Sequence, residues 1–115
     1  MSKYVDGFVI PILKKNIPAY RRLARDAGKV WREHGALEYR ECVGEDITGR
    51  FPKQLRLKRG ETVIFAWVIY KSRLHRDRVN KKVMTDPRIT GVDPSTIPFD
   101  SRRMLYGGFT TIVEL

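Results

Sequence analysis

The sequence predicts an α+β domain in which a four-stranded antiparallel sheet carries two helices on one face. Three observations lead there. The stretch Glu61 to Tyr70, ETVIFAWVIY, runs without a charge from Val63 to Tyr70, so the strand it forms is apolar on both faces. A helical stripe at spacings of three and four extends from Ile17 to His34, and a shorter one lies between Ser72 and Pro87. With alternating stretches on either side of each helix, the order reads β-α-β-β-α-β, the ferredoxin-like split unit. At 115 residues the chain makes one domain, residues 1–115, with a core of its own.

Tyr4 to Ile10 reads as the first strand, closed by Pro11. Asn16 is placed to cap a helix whose first turn holds Pro18, a position where proline is tolerated. In that helix Ile17, Tyr20, Ala24, Ala27, Trp31 and His34 form the inner stripe, which Leu23 and Val30 widen. Arg21, Arg22, Arg25, Lys29 and Arg32 take the outer surface, and Gly35 supplies the stop. Ala36 to Gly44 alternates as a second strand with Leu37, Tyr39, Glu41 and Val43 on one face. Glu45 to Gly60 reads as a long polar connection, with a short strand near Gln54 to Leu57.

In the third strand, alternation sets Val63, Phe65, Trp67 and Ile69 on one side and Ile64, Ala66, Val68 and Tyr70 on the other. Ser72 caps the second helix, with Leu74, Val79, Val83 and Met84 inward, and Asp86-Pro87 ends it. A proline-rich loop leads to the last strand, Met104 to Val113.

Both helices pack on one face, so the other is left bare, with Tyr4, Phe8, Phe65 and Trp67 expected on it. An apolar patch of that size calls for a partner. Two sheets facing each other across a twofold axis bury it, which makes the expected assembly a homodimeric α/β barrel.

Composition narrows the function classes. No apolar run approaches the ~20 residues of a membrane span, and the N-terminal stretch lacks the pattern of a secretory signal. Cys42 has no cysteine to pair with, so a reducing cytoplasm is the expected location. His34 and His75 stand far apart without ligand spacing, so no metal site is expected. Phosphate loops, nucleophile elbows and dinucleotide fingerprints are also missing, so no cofactor is expected.

Asp6 shares its strand face with Tyr4, Phe8 and Ile10, where burial would raise its pKa and suit it to proton transfer. The plainer role is an ion pair with an arginine such as Arg103. Glu41 stands in the same position on the second strand, and convergence with Asp6 would make an acid/base pair. Arg103, in the run DSRR, is placed to meet an anion, while Asp100 is equally placed to hold Arg102 or Arg103 in a structural ion pair. Gly107-Gly108 inside a strand marks a bulge or a close approach. Tyr106 beside it offers a hydroxyl, and Trp67 an aromatic wall. These residues make up a hypothetical small-molecule site, with Asp6 and Tyr106 catalytic and Trp67, Arg103 and Glu41 binding ligand.

The net charge of +10 raises a second reading, a basic RNA-associating protein without catalysis. Phe8, Phe65 and Trp67 lie on the strands where an RRM stacks bases. However, Arg59-Gly60 is followed by Glu-Thr and an aliphatic run, not by interleaved exposed aromatics. Only non-specific, salt-sensitive attraction of phosphates to the helix surfaces then remains. A plain dimeric scaffold is the third reading.

Four segments together resemble a known bacterial family, the domain of unknown function 1428 of the dimeric α/β-barrel superfamily. They are YVDGFVIP from Tyr4, GALEYRECVGED from Gly35, ETVIFAWVIYKSRLHRD from Glu61, and MTDPR with IPFDSRRMLYGGF ending at Phe109. The family commonly reads PFDGKRM, from which Ser101 and Arg102 depart, and Lys71 stands where proline is common. The resemblance implies a small cytoplasmic homodimer, and some members carry an RNA-associated label. By analogy of fold, related barrels include cofactor-free monooxygenases and isomerases, and a fold does not fix a function.

Overall fold

The computed structural model describes residues 2–115. Four antiparallel strands, β1 (Tyr4–Leu13), β2 (Glu38–Val43), β3 (Glu61–Tyr70) and β4 (Leu105–Thr110), form one sheet in the order β2-β3-β1-β4. Two long helices, α1 (Ile17–Glu33) and α3 (Arg73–Met84), supply the crossovers, and short helices α2 (Arg50–Gln54) and α4 (Pro87–Thr90) punctuate the connections. This is the predicted ferredoxin-like arrangement.

β1 runs through Pro11 to Leu13 and does not stop at Ile10. The backbone nitrogen of Lys14 donates to Gly60 on the β3 side and that of Thr111 to Lys3 on the β4 side. Even-numbered residues of β1 therefore bond to β3, and odd-numbered ones face β4. Pairing with β4 ends at Val9 opposite Leu105. The donor that Pro11 lacks would have pointed where no neighbouring strand remains, which is why a proline fits inside this strand.

The register decides what each face carries. Tyr4, Asp6, Phe8, Ile10 and Ile12 pair with Tyr70, Val68, Ala66, Ile64 and Thr62, so all of them share one face. On it lies the core, in two clusters that meet at Phe8. Ile10, Ile12, Ile64 and Ala66 pack with Tyr20 and Ala24 of α1. Val68 and Tyr70 pack with Val30 of α1 and Val79 and Val83 of α3. Tyr4 and Phe8 thus belong to the helix side, contrary to the expectation that they join Phe65 and Trp67. The opposite face presents Val5, Gly7 and Val9 of β1, Phe65, Trp67 and Ile69 of β3, Glu38, Arg40 and Cys42 of β2, and Leu105 and Phe109 of β4. Phe65 remains 50% exposed and Phe109 60%.

Three local expectations change. Gln54 to Leu57 forms no strand; α2 and a turn occupy that region, with Arg56 at positive φ. Asn16 precedes α1 but makes no side-chain cap; its amide donates to the Pro98 carbonyl at 3.2 Å and ties the proline-rich loop to the helix start. In α3, Val79 and Val83 are buried, whereas Leu74 and Met84 are exposed. The Ser72 hydroxyl caps α3 by accepting from the His75 backbone at 3.1 Å.

Candidate functional site

The site with the most chemistry lies between α1 and the sheet, where β2 presents Tyr39, Glu41 and Val43 toward the helix. The Tyr20 hydroxyl, one turn into α1, donates to Glu41 Oε1 at 2.7 Å. From the other side the Tyr39 hydroxyl donates to Oε2 at 2.6 Å. Burial, then the neighbouring Glu41 charge, pushes both phenols far above the usual tyrosine range. They therefore stay protonated and act as donors to the carboxylate.

Tyr39 reaches this position because α1 has Gly28 beside it. A Cβ there would lie 2.7 Å from the Tyr39 ring, so the glycine serves close approach rather than backbone freedom. Trp31, one turn further along α1, also packs on the ring at 6.1 Å between centroids, and its indole donates to the Tyr70 hydroxyl at 3.1 Å. A cavity of about 170 Å³ opens behind the trio, lined by Phe8, Trp31, Phe99 and Met104 among others. A wider groove of about 510 Å³ runs outside it between α1 and β2, with Arg21 and Arg25 along one edge. Tyr20, Ala24, Tyr39 and Glu41 line both spaces and stand where they meet.

A second polar cluster surrounds Asp6. Arg76 of α3 brings its Nε to 3.3 Å from Asp6 Oδ1, donates from Nη2 to the Tyr4 hydroxyl at 3.1 Å and lies over the Tyr4 ring. Burial raises the Asp6 pKa, with the Arg76 charge opposing the shift. Arg76 Nε is itself buried without a well-directed hydrogen bond. Gly108 pairs with Asp6 on β4, and a Cβ there would meet the Tyr4 ring and Arg76 Nη2. The glycine pair thus marks a close approach by side chains, not a bulge.

The five residues singled out from the sequence do not assemble into one pocket. Asp6 and Tyr106 lie on the helix face of adjacent strands, and Tyr106, 73% exposed, stacks on Phe8 at 6.2 Å. Glu41 shares that face, but β3 stands between and their partners on it, Val68 and Ala66, are two residues apart, which at ~4.8 Å per strand and ~3.3 Å per residue puts Asp6 and Glu41 about 12 Å apart and rules out a direct acid/base pair. Trp67 is on the opposite face, where its indole donates to Glu38 at 2.7 Å and Arg40 lies over its ring. Arg103 sits at the far end of β3, bonded to both carboxylate oxygens of Glu61 at 2.7 and 3.1 Å and to the Arg56 carbonyl. Its charge is met within the protein. Asp100 holds Arg102, one of the two ion pairs expected for it.

Tyr20, Tyr39 and Arg76 were not among the residues singled out. Each had a signal: Tyr20 sits in the inner stripe of α1, and Tyr39 alternates with Glu41. Arg76 is spaced three and seven residues before Val79 and Val83, on the buried side of its helix. Among the described residues no three His, Cys, Asp or Glu side chains gather as metal ligands, and no helix is long and apolar enough to cross a membrane.

Comparison with known proteins agrees with the fold. A solved dimeric ferredoxin-like protein from an uncultured marine organism superposes with a TM-score of 0.62 at 12% identity, covering 100% of both chains. An uncharacterized NIPSNAP domain protein from Burkholderia xenovorans gives 0.59 at 14% identity, over 92% of this chain and 91% of that one. In sequence, the chain is 40% identical over 116 residues to the uncharacterized protein YbaA of Escherichia coli K12, covering 97% of this chain and 98% of that one. YbaA of Shigella flexneri matches to the same extent. The model of DUF1428, described as a protein of unknown function, matches residues 3–101, and the chain belongs to that family.

Proposed function

We propose that this protein is a homodimer, joined through the open faces of its sheets, that binds a small metabolite between α1 and β2 in each subunit. The observation that carries the ligand reading is Glu41, held by two tyrosine hydroxyls at the meeting point of a groove and an apolar cavity. Pockets of a few hundred cubic ångströms with a few convergent polar groups are the usual form of a small-molecule site. In this reading Glu41 is the acid/base group of any cofactor-free reaction. Asp6, paired with Arg76, secures α3 to the sheet; Trp67 belongs to the subunit interface and Arg103 to the loop before β4. The dimer reading rests on Phe65, Trp67, Leu105 and Phe109 sharing one uncovered face.

A thermal-shift screen across a metabolite panel, with structured RNA as a separate arm, tests the ligand reading. A compound that raises Tm at both low and high salt supports it. The variant Ala24→Leu, which fills the space where groove and cavity meet, then loses that shift while keeping its own Tm. If no compound stabilises the protein, the reading fails. Stabilisation by RNA alone, vanishing at high salt, replaces it with non-specific attraction to the basic helix surfaces.

A further inference from the structure

The groove between α1 and β2 carries a pattern of hydrogen-bonding capacity and charge that specifies more than a small apolar guest. Both phenol protons point at Glu41, one to each carboxylate oxygen. What the trio still offers is acceptor capacity only: the remaining lone pairs of the two carboxylate oxygens and of the two phenol oxygens. Burying those acceptors under a purely apolar ligand would leave them unpaired, which is costly. The inner end of the ligand must therefore bring a donor.

The outer edge has the opposite character. Arg21 and Arg25, one helical turn apart on α1, line the same groove, and neither is in an ion pair among the described residues. Two guanidinium groups at the mouth favour an anion there and oppose a protonated amine passing between them. The walls between the two ends are Ile17, Ala24, Val43 and Ile64, with the Tyr20 and Tyr39 rings beside them.

We propose that this groove binds a hydroxyaryl carboxylate, with its hydroxyl donating to the Tyr20–Glu41–Tyr39 trio and its carboxylate paired with Arg21 and Arg25. The inference rests on the ligand-binding reading above and narrows it to one chemical class. The competing account is that the trio only fastens α1 to β2.

Calorimetric titration with three matched probes separates these accounts. The probes are 4-hydroxyphenylacetate, its methyl ether 4-methoxyphenylacetate, and the alcohol 2-(4-hydroxyphenyl)ethanol. The hydroxy acid should bind at least tenfold more tightly than the ether, which lacks the donor, and than the alcohol, which lacks the charge. In Arg21→Gln/Arg25→Gln, a surface double variant, the preference for acid over alcohol should vanish while the alcohol's own affinity holds. Glu41→Gln should erase the preference for hydroxyl over ether; should that variant unfold, the ether comparison on the unaltered protein still decides the inner end. Equal affinity for acid and ether overturns the donor assignment, and equal affinity for acid and alcohol overturns the arginine assignment. If none of the three binds, this ligand class is wrong. A compound of another class found in the metabolite screen would then leave the broader reading standing.

Discussion

At the scale of single residues, Gly28 sets helix propensity against packing on Tyr39. Gly28 costs helix stability, since alanine in its place would favour the helix by about 1 kcal/mol. Against that gain, a methyl group driven into the Tyr39 ring costs about 1–3 kcal/mol as overpacking. The clash wins, because Tyr39 is fixed through its hydroxyl by Glu41 and its ring is packed on by Trp31. Gly28→Ala is therefore expected to lower stability by about 1 kcal/mol in urea denaturation, despite its better helix propensity. A helix-favouring substitution that left stability unchanged or higher would show that Tyr39 is free to move. Nothing in the sequence distinguishes Gly28 from an ordinary weak point in a helix, because its reason lies on β2, eleven residues along the chain but adjacent in space.

Acid titration is another residue-scale property. Asp86 caps α4 and accepts from the Arg88 side chain and backbone and from His34 Nε2 at 2.8 Å. Arg88 and His34 hold its carboxyl well below the usual carboxylate range. A depressed folded-state pKa contributes stability that is present above the unfolded value of about 3.9 and is lost as pH falls below it. Glu61, lowered by Arg103, acts with the same sign, and Asp6, raised by burial, with the opposite one. The prediction is that Asp86→Asn flattens, without abolishing, the fall in urea midpoint between about pH 5 and about pH 2. An unchanged slope would mean the pair is already open in solution.

At the scale of elements, β3 was legible in full and β4 the least. An uncharged run such as Val63–Tyr70 reads as a strand apolar on both faces, and its alternation set Ile64, Ala66, Val68 and Tyr70 together on the side that is buried. The faces of β1 were not readable in the same way. Tyr4, Phe8, Val5 and Val9 are all apolar, so only pairing with β3 decides which pair goes inward. For β4 the sequence reading ran three residues too far at its C-terminal end, because Thr111 to Val113 continues the β-branched pattern after the ladder has ended. The candidate site was partly legible, since Glu41 and Asp6 are visible as carboxylates on apolar strands. Apart from Tyr39 on β2, their partners Tyr20 and Arg76 come from α1 and α3, and helix placement over a sheet is not encoded in strand alternation.

The start of β3 is tied to the start of β4 by Glu61 and Arg103. Only 7% of the Glu61 side chain is exposed, and removing its charge leaves a guanidinium without its counter-ion. Glu61→Gln should destabilise by about 2 kcal/mol in chemical denaturation, on the scale of a lost charge-assisted bond. A cost below about 0.5 kcal/mol would place this pair among ordinary surface ion pairs.

For the whole molecule, the open sheet face is the feature that most needs a partner. Phe65, Trp67, Leu105 and Phe109 lie on it beside Glu38 and Arg40, opposite charges that allow the same patch to meet itself across a twofold axis. Trp67→Glu puts a carboxylate next to Glu38 in the middle of that patch. Light scattering should then report a folded monomer of about 13.4 kDa in place of a dimer. A dimer that survives this change must be built on some other surface.

The two outer strands of the sheet differ in a way that bears on how assembly stops. β2 places three charges, Glu38, Arg40 and Glu41, within six residues, whereas β4, LYGGFT, has none. Charged outer strands resist the addition of further strands, and uncharged ones permit it. With one guarded and one permissive border, any lengthening of the sheet by a second copy would have to bring β4 against β4. Such a union uses up the permissive side of both molecules at once. The sheet is thereby denied the head-to-tail growth from which fibres are made.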